Sequence, residues 1–374
     1  MSRLNQAPRV IVSGGGTGGH IFPAISIANE IKHRYPDAEI LFIGAEGRME
    51  MERVPKAGYK IVGLPVAGFD RKKLWRNFKV IAKLLKSMRK VKTVLTDFNP
   101  DIVIGVGGYA SGPALKTAQK KGFPTLIQEQ NSYAGVTNKM LGKKADAICT
   151  AYEKMDRFFP ADRIILTGNP VRSSILNSPL TREEAKTTLG FNPGRPLVLV
   201  VGGSLGALTI NKSIASALDA FEKDGIQIMW QTGRYYASRF EPLAAGRQGV
   251  KASAFIDDMA TAYRAADLVV SRAGAGTISE LQLLGCPSIL VPSPNVAEDH
   301  QRKNALALVE RGAAVMVPDD EAGEHLAHEI IALITDRKRL EATGRAAASM
   351  ALPQAAERIV DRAEEIISTK KSKK

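Results

Sequence analysis

The stretch Ile11-Val12-Ser13-Gly14-Gly15-Gly16-Thr17-Gly18-Gly19-His20 reads as a strand, a glycine turn and the start of a helix. Val10–Ser13 is a short buried-type strand, and the next periodic run, from about Pro23 to His33, reads as a helix. Gly14, Gly16 and Gly19 fit the spacing G-x-G-x-x-G. Such a loop lets the backbone approach a diphosphate, and the helix behind it offers unpaired N–H groups and the positive end of its dipole. Alone, the motif is weak: a dinucleotide fold fits it too, and a plain glycine turn is the lesser alternative.

The same grammar recurs along the chain. Glu39–Ile43, Ile102–Ile104, Thr125–Gln128 and Ala147–Cys149 read as further strands separated by helical stretches, which predicts an α/β fold with parallel sheet. A second glycine loop, Gly105 to Pro113, follows the strand Ile102–Ile104. Gly168-Asn169-Pro170 is turn chemistry and the expected domain boundary. The pattern then restarts: Leu197–Val201 runs into Gly202–Ala207, and Asp267–Ser271 into Arg272-Ala273-Gly274-Ala275-Gly276-Thr277. Ile226–Gln231 and Ser288–Val291 complete the strands; Ile210–Lys223, Thr277–Leu284 and His300–Arg311 read as helices. A dehydrogenase needs one such loop. Four loops over two domains suggest two half-sites of a nucleotide cleft. The expected division is 1–168, 169–352, a helix within 353–368 and a basic tail, 369–374.

At 374 residues the chain exceeds one ordinary core. Its two cysteines, Cys149 and Cys286, exclude a disulfide framework and fit buried thiols in a reducing compartment. Neither a secretory leader nor a run of about 18 apolar residues is found. Fifty-two Lys and Arg against 38 Asp and Glu leave a net charge of +14, which calls for an anionic partner.

Thr277-Ile278-Ser279-Glu280 admits two readings from spacing: a capping box, or a glutamate placed on the ribose of a nucleotide whose diphosphate sits at the helix start. No D-x-D stands where a metal would be useful. Asp257-Asp258 reads as a solvated loop or helix start, and His325 and His328 lack a third ligand nearby, so no catalytic metal or other cofactor is expected.

GGGTGGH, GVGGYASGP, Gln128-Glu129-Gln130-Asn131, GNPVR, GGSLGA, AGAGTISEL and Glu298-Asp299-His300-Gln301-Arg302-Lys303-Asn304-Ala305 occur in this order. Together they resemble the MurG family, the N-acetylglucosaminyltransferases of peptidoglycan synthesis, from about Val10 to beyond Ala313. The resemblance implies a GT-B fold, two Rossmann-like domains facing across a cleft, with the last helix returning to the first domain. It implies UDP-N-acetylglucosamine as donor and lipid I, the undecaprenyl-diphospho-muramoyl-pentapeptide, as acceptor. Lipid II would form with inversion to a β linkage. Other cell-wall synthesis proteins would be partners, and the place of action the cytoplasmic face of the bacterial inner membrane. Thr17, Gly18 and Gly19 would line the donor site, and Asn131 and Gln301 would contact the sugar. Arg172 and Ser204 would hold the diphosphate, and the backbone of Ile256 would meet uracil. Ala275, Gly276 and Thr277 would sit at the phosphates. Glu280 would take the ribose, which tips the capping ambiguity.

Inversion needs a base for the acceptor hydroxyl. His20, just after the first loop, is the leading candidate because an imidazole titrates near neutrality; Glu129 is the competing carboxylate.

Arg71–Lys92 holds ten Lys or Arg and no acid. Leu74, Phe78, Ile81, Leu85 and Met88 recur at helical spacing and are expected to pack on the core. Lys72, Arg76, Lys79, Lys83, Lys86 and Lys90 fall opposite, while Phe69 and Trp75 lie off the stripe. Region 69–92 thus reads as an element for an anionic membrane surface. No nucleic-acid module is present, and no nucleic-acid partner is expected. Rival readings are a UDP-N-acetylglucosamine 2-epimerase-like enzyme, a non-catalytic nucleotide-sugar binding protein and an NAD-linked oxidoreductase.

Overall fold

The computed structural model describes residues 4–66, 77–176 and 178–372. The chain divides into two compact units, Met1–Val171 with Pro353–Lys374, and Arg172–Leu352. Each is a Rossmann-like α/β unit.

In the first unit the strands are β1 (Arg9–Ser13), β2 (Glu39–Ala45), β3 (Lys60–Leu64), β4 (Ile102–Gly105), β5 (Thr125–Glu129), β6 (Ala147–Thr150) and β7 (Ile164–Leu166). Among the described residues they form one parallel sheet in the order β3-β2-β1-β4-β5-β6-β7. In the second they are β8 (Leu197–Val201), β9 (Gln227–Gln231), β10 (Val250–Ser253), β11 (Leu268–Ser271), β12 (Ser288–Leu290) and β13 (Val315–Met316), ordered β10-β9-β8-β11-β12-β13, again parallel.

Helices on both faces make the central strands apolar throughout, because neither face meets water. Along β1, Val10 and Val12 join one core and Ile11 the other; Ile102 and Ile104 oppose Val103 in the same way on β4. The second unit repeats the alternation, with Val198 and Val200 on one face and Leu199 on the other. Cys149 and Cys286 are buried free thiols; burial pushes them up to about 12 and about 11 respectively.

The last helix, Ala355–Lys371, packs on the helix Gly18–Arg34. Ile359, Val360, Ile366 and Ile367 enter the first unit's core. Each such side chain stabilises by about 1.5–3 kcal/mol when fully buried. Arg34 clasps this helix through Asp361 at 2.6 Å, Glu364 at 3.2 Å and the Glu357 carbonyl at 3.0 Å. Burial works against the charge, but Asp361, Glu30 and Glu364 together hold the guanidinium above its usual value.

Strand order reverses at β1/β4 and at β8/β11, the places where such sheets open a crevice beyond their carboxyl ends. Register puts Ser13 beside Gly105 and Val201 beside Ser271. In each unit, therefore, two glycine loops leave the sheet side by side.

Candidate active site

In the first unit the helix begins at Gly18, not at Pro23 where the sequence reading starts it. Pro23 lies inside the helix, in its second turn, and removes one backbone donor there. The consequence is that His20 sits in the first turn, half-buried. Thr17 is the N-cap, but its hydroxyl makes no cap; it lies 3.1 Å from His20 Nδ1 instead. The ring rests on the second glycine loop. An ideal Cβ at Gly107 would fall 2.9 Å from both Cδ2 and Nε2 of His20.

The two loops interlock through backbone. Val106 N donates to Ser13 O at 2.9 Å, and a side chain at Gly108 would overlap the Gly15 carbonyl. Gly15 is glycine for a reason the sequence does not display: a Cβ there would overlap the Glu50 carboxylate. Glu50 is fully buried and accepts from Gly16 N at 3.0 Å and Ala45 N at 2.9 Å. Part of the loop's donor capacity is thus used by the protein's own carboxylate.

Glu129, weighed as a base, is 1% exposed and accepts from four donors. They are Asn131 N at 3.1 Å, Asn131 Nδ2 at 3.3 Å, Gly135 N at 3.0 Å and Asn138 Nδ2 at 2.9 Å. It holds the loop that carries Asn131. Beside it Gln130 donates to the Val106 carbonyl at 2.8 Å and to Gln128 Oε1, and Gln128 donates to Asn169 Oδ1 at 2.8 Å. Asn169 of the GNPVR segment is thereby tied to the second glycine loop within the first unit.

In the second unit the helices behind the loops are Leu208–Lys223 and Ala275–Leu284. Neither has a side-chain cap or an acid in its first turn; the same holds for Gly18–Arg34 and Ser111–Lys120 in the first unit. Among the described residues three other helices are capped, by Thr181, Asp258 and Asp336. Asp258 thus serves a helix start, one of the two readings of Asp257-Asp258. The capping box at Thr277 and Glu280 does not form. The N-cap is Gly274, so Thr277 is already the third helical residue.

Glu280 turns instead towards Tyr263, whose hydroxyl donates to Oε2 at 2.9 Å, and Arg172, with Nη2 4.0 Å from Oε1. Burial raises the Glu280 carboxyl, outweighing the Tyr263 hydrogen bond and the Arg172 charge. Ser204 is exposed on the third loop, and its carbonyl accepts from Arg234 N at 3.2 Å. The Ile256 N–H is engaged: it donates to Gln231 Oε1 at 3.1 Å, while Gln231 Nε2 donates to the Gly203 carbonyl at 3.1 Å. A base reading this backbone meets the Ile256 carbonyl, or displaces Gln231. Gln301 Oε1 accepts from Ser293 N at 2.9 Å. Just before it, Glu298 and Asp299 hold φ of 58° and 51°, sparsely populated for non-glycine residues.

Arg272, on the fourth loop, looks like a phosphate ligand but is committed elsewhere. It pairs with Asp319 and donates to the Val291 and Pro292 carbonyls at 3.0 and 3.2 Å.

Of the basic segment, Phe69, Lys72, Leu74, Trp75 and Arg76 lie outside the described residues. The helix Asn77–Phe98 is present, but its apolar stripe is not the expected one. Val91 and Leu95 are in the core, whereas Ile81 is 45% and Leu85 54% exposed. The inward face runs through Leu84, Ser87, Val91 and Leu95, so Ile81 and Leu85 fall on its flank, among exposed Lys83, Lys86 and Arg89. Among the described residues no helix is long and apolar enough to cross a membrane.

Residues 10–150 match the glycosyltransferase family 28 N-terminal domain, and residues 197–359 its C-terminal domain. The chain belongs to glycosyltransferase family 28. A family relative from Parabacteroides distasonis is 57% identical over 97% of this chain and 99% of its own length. It carries the name UDP-N-acetylglucosamine–N-acetylmuramyl-(pentapeptide) pyrophosphoryl-undecaprenol N-acetylglucosamine transferase. The crystal structure of Acinetobacter baumannii MurG superposes with a TM-score of 0.77 at 28% identity, covering 96% of this chain and 99% of that one. A Listeria monocytogenes putative UDP-N-acetylglucosamine 2-epimerase, TM-score 0.66 at 15% identity over 95% of each chain, shares the fold. The GT-B architecture implied by the sequence is therefore that of this family 28 chain.

Sequence reasoning passed over Glu50, Gln231, Tyr263 and Arg272 in this family 28 chain. Each acts on a partner 15 or more residues away, and only Arg272 lies inside a glycine loop.

Proposed function

We propose that the chain transfers N-acetylglucosamine from UDP-N-acetylglucosamine to the 4-hydroxyl of the muramoyl sugar of lipid I, giving lipid II and UDP. The observation that carries this reading is the near-full-length likeness, at 57% identity, to a relative named for that transfer.

The second unit is the donor unit. Its support is the pair of uncapped helix starts beside Ser204 and Ala275–Thr277, with the Arg172 guanidinium 4.0 Å from Glu280 on the second of these helices. A departing diphosphate gains charge, and preorganised N–H groups and a guanidinium stabilise it without reorganising. Glu280 accepts from the ribose hydroxyls, and the Ile256 carbonyl takes the uracil N–H. Asn131 and Gln301 contact the sugar, and Thr17, Gly18 and Gly19 line its path.

His20 is the base. In the tautomer whose Nδ1–H donates to Thr17 Oγ1, 3.1 Å away, Nε2 carries the lone pair. Nε2 takes the proton of the acceptor hydroxyl as that oxygen bonds to the anomeric carbon. The bond from that carbon to the diphosphate oxygen breaks, and inversion yields the β linkage. Glu129 has no part in proton transfer, because its oxygens are committed to the loop bearing Asn131.

The first unit receives the acceptor and rests on an anionic membrane surface, on the cytoplasmic face. Exposed Ile81 and Leu85 flanked by Lys83, Lys86 and Arg89 suit an interface where apolar side chains enter and cations meet head groups.

The test is incubation with labelled UDP-N-acetylglucosamine and a lipid I analogue, with water and a soluble sugar as control acceptors. Label moving only to the lipid-linked acceptor supports the reading. Conversion of the donor to its 2-epimer without transfer overturns it.

A further inference from the structure

Tyr263 stands in the helix Met259–Ala265 and is 3% exposed. Its ring packs in the core cluster that holds Ile175, Ile256, Ala262 and Cys286. The buried ring ends in a hydroxyl 2.9 Å from Glu280 Oε2. A phenol at such a depth needs a partner, and here the partner is the carboxylate assigned to the ribose. The torsion that turns a glutamate carboxylate is broad and poorly fixed by its own rotamer preferences. A carboxylate that must accept from two neighbouring hydroxyls needs its plane fixed. Among the described residues Tyr263 and Arg172 divide the oxygens of Glu280, Tyr263 on Oε2 and Arg172 near Oε1.

We infer that Tyr263 is a positioning residue for nucleotide recognition: its hydroxyl anchors Oε2 so that Glu280 presents its remaining lone pairs to a ribose diol, giving the site preference for ribonucleotide over 2′-deoxyribonucleotide donors. The inference rests on Glu280 being the ribose acceptor. Tyr263 touches no substrate atom; it acts through the glutamate. Its ring shares a core with Ile256, so the residue also couples the base-reading segment to the ribose-reading helix.

Among the described residues the Tyr263 hydroxyl and the Arg172 guanidinium act on Glu280, and both favour its ionised form, against burial. Removing the Tyr263 hydroxyl takes away one of these and lets the carboxyl hold its proton to higher pH. A purely structural loss would not move that limb.

The experiment compares wild type, Tyr263→Phe and Glu280→Gln in the full chain. UDP and 2′-deoxy-UDP binding are measured by calorimetry, and donor KM and kcat are followed against pH. Tyr263→Phe keeps the ring and its packing, and its urea midpoint is recorded beside the kinetics. The expected result is a donor KM raised about tenfold, as for loss of one hydrogen bond to a charged group, with kcat nearly unchanged. The preference for UDP over 2′-deoxy-UDP shrinks, and the acid limb of 1/KM moves to higher pH. Equal weakening of both nucleotides with an unmoved acid limb overturns the inference, as does no change at all. If Glu280→Gln keeps the full ribose preference, the ribose reading of Glu280 falls first, and the inference with it.

Discussion

Arg172 Nη2 lies 4.0 Å from Glu280 Oε1. One residue is assigned to the diphosphate and the other to the ribose, so the two charges that would bracket a bound nucleotide face each other within the second unit. The arginine side chain is 43% exposed and the glutamate 17%. The contact is too open and too long to contribute much stability. Its value is in binding. Arg172→Ala is expected to lower kcat/KM for the donor by about a hundredfold, since a charge-assisted contact to a departing phosphate is lost. Arg172→Lys keeps the charge without the fork and should fall between. Steady-state kinetics at fixed acceptor check both.

The pH dependence of donor binding follows from Glu280. Burial holds its carboxyl above the ordinary carboxylate value. The ionised carboxylate is the stronger acceptor for two hydroxyls, so donor affinity is highest above that raised pKa and falls as pH drops through it. Stability runs the other way. The contribution is present below the ordinary carboxylate pKa and is lost as pH rises through the raised one, because the folded state holds the proton more tightly. Glu280→Gln should therefore flatten the acid limb of donor binding. It should also unfold no sooner than wild type at neutral pH, as followed by calorimetry with and without UDP.

His20→Ala should reduce turnover by about a hundred- to ten-thousandfold, the usual contribution of a positioned general base, with UDP binding kept. Glu129→Gln should behave differently. It puts an amide where four N–H donors converge. The cost is of the order of 2–3 kcal/mol of stability, read as a lower urea midpoint, with a smaller fall in kcat than for His20→Ala.

Gly107→Ala tests how the ring is held. The position has φ +91°, and the new methyl would meet His20 at 2.9 Å. The ring is the part that can move, so kcat should fall more than tenfold while UDP affinity in the second unit is unchanged. Gly16→Ala is the control. It has the same kind of φ, +88°, but open space around the position. Its cost is backbone strain of about 1–2 kcal/mol.

Ile81→Glu with Leu85→Glu should abolish sedimentation with anionic vesicles, leave UDP binding intact, and keep turnover of a short, soluble acceptor analogue. Raising the salt should weaken wild-type vesicle binding, as expected of exposed charges.

The strands and the loops were legible because parallel strands buried on both faces read as uninterrupted apolar runs and end at glycines. Leu197–Val201 is found at the limits that its sequence suggests. Short edge strands such as Ile164–Leu166 and Val315–Met316 carry too few residues to show a period. The helix start at Gly18 was hidden because proline favours a first turn, whereas Pro23 lies in the second. Ile81 and Leu85 were placed inside by periodicity. A stripe continuing from position 74 and one converging on Val91 and Leu95 differ by a fraction of a turn, and only the neighbouring elements decide between them. Thr277 and Glu280 satisfy a capping-box spacing that the helix start at Ala275 makes irrelevant. Glu50 and Tyr263 were not legible, since a buried carboxylate under a glycine loop and a phenol bonded to Glu280 are relations in space.

The transfer itself is tested most directly by isolating the lipid-linked product formed from UDP-N-acetylglucosamine and a lipid I analogue, and reading the configuration of the new linkage by proton NMR. The account predicts a lipid-linked disaccharide with the added N-acetylglucosamine β-linked to the muramoyl 4-oxygen, formed in step with UDP. Release of UDP without a lipid-linked disaccharide, or a product with an α linkage, would contradict it.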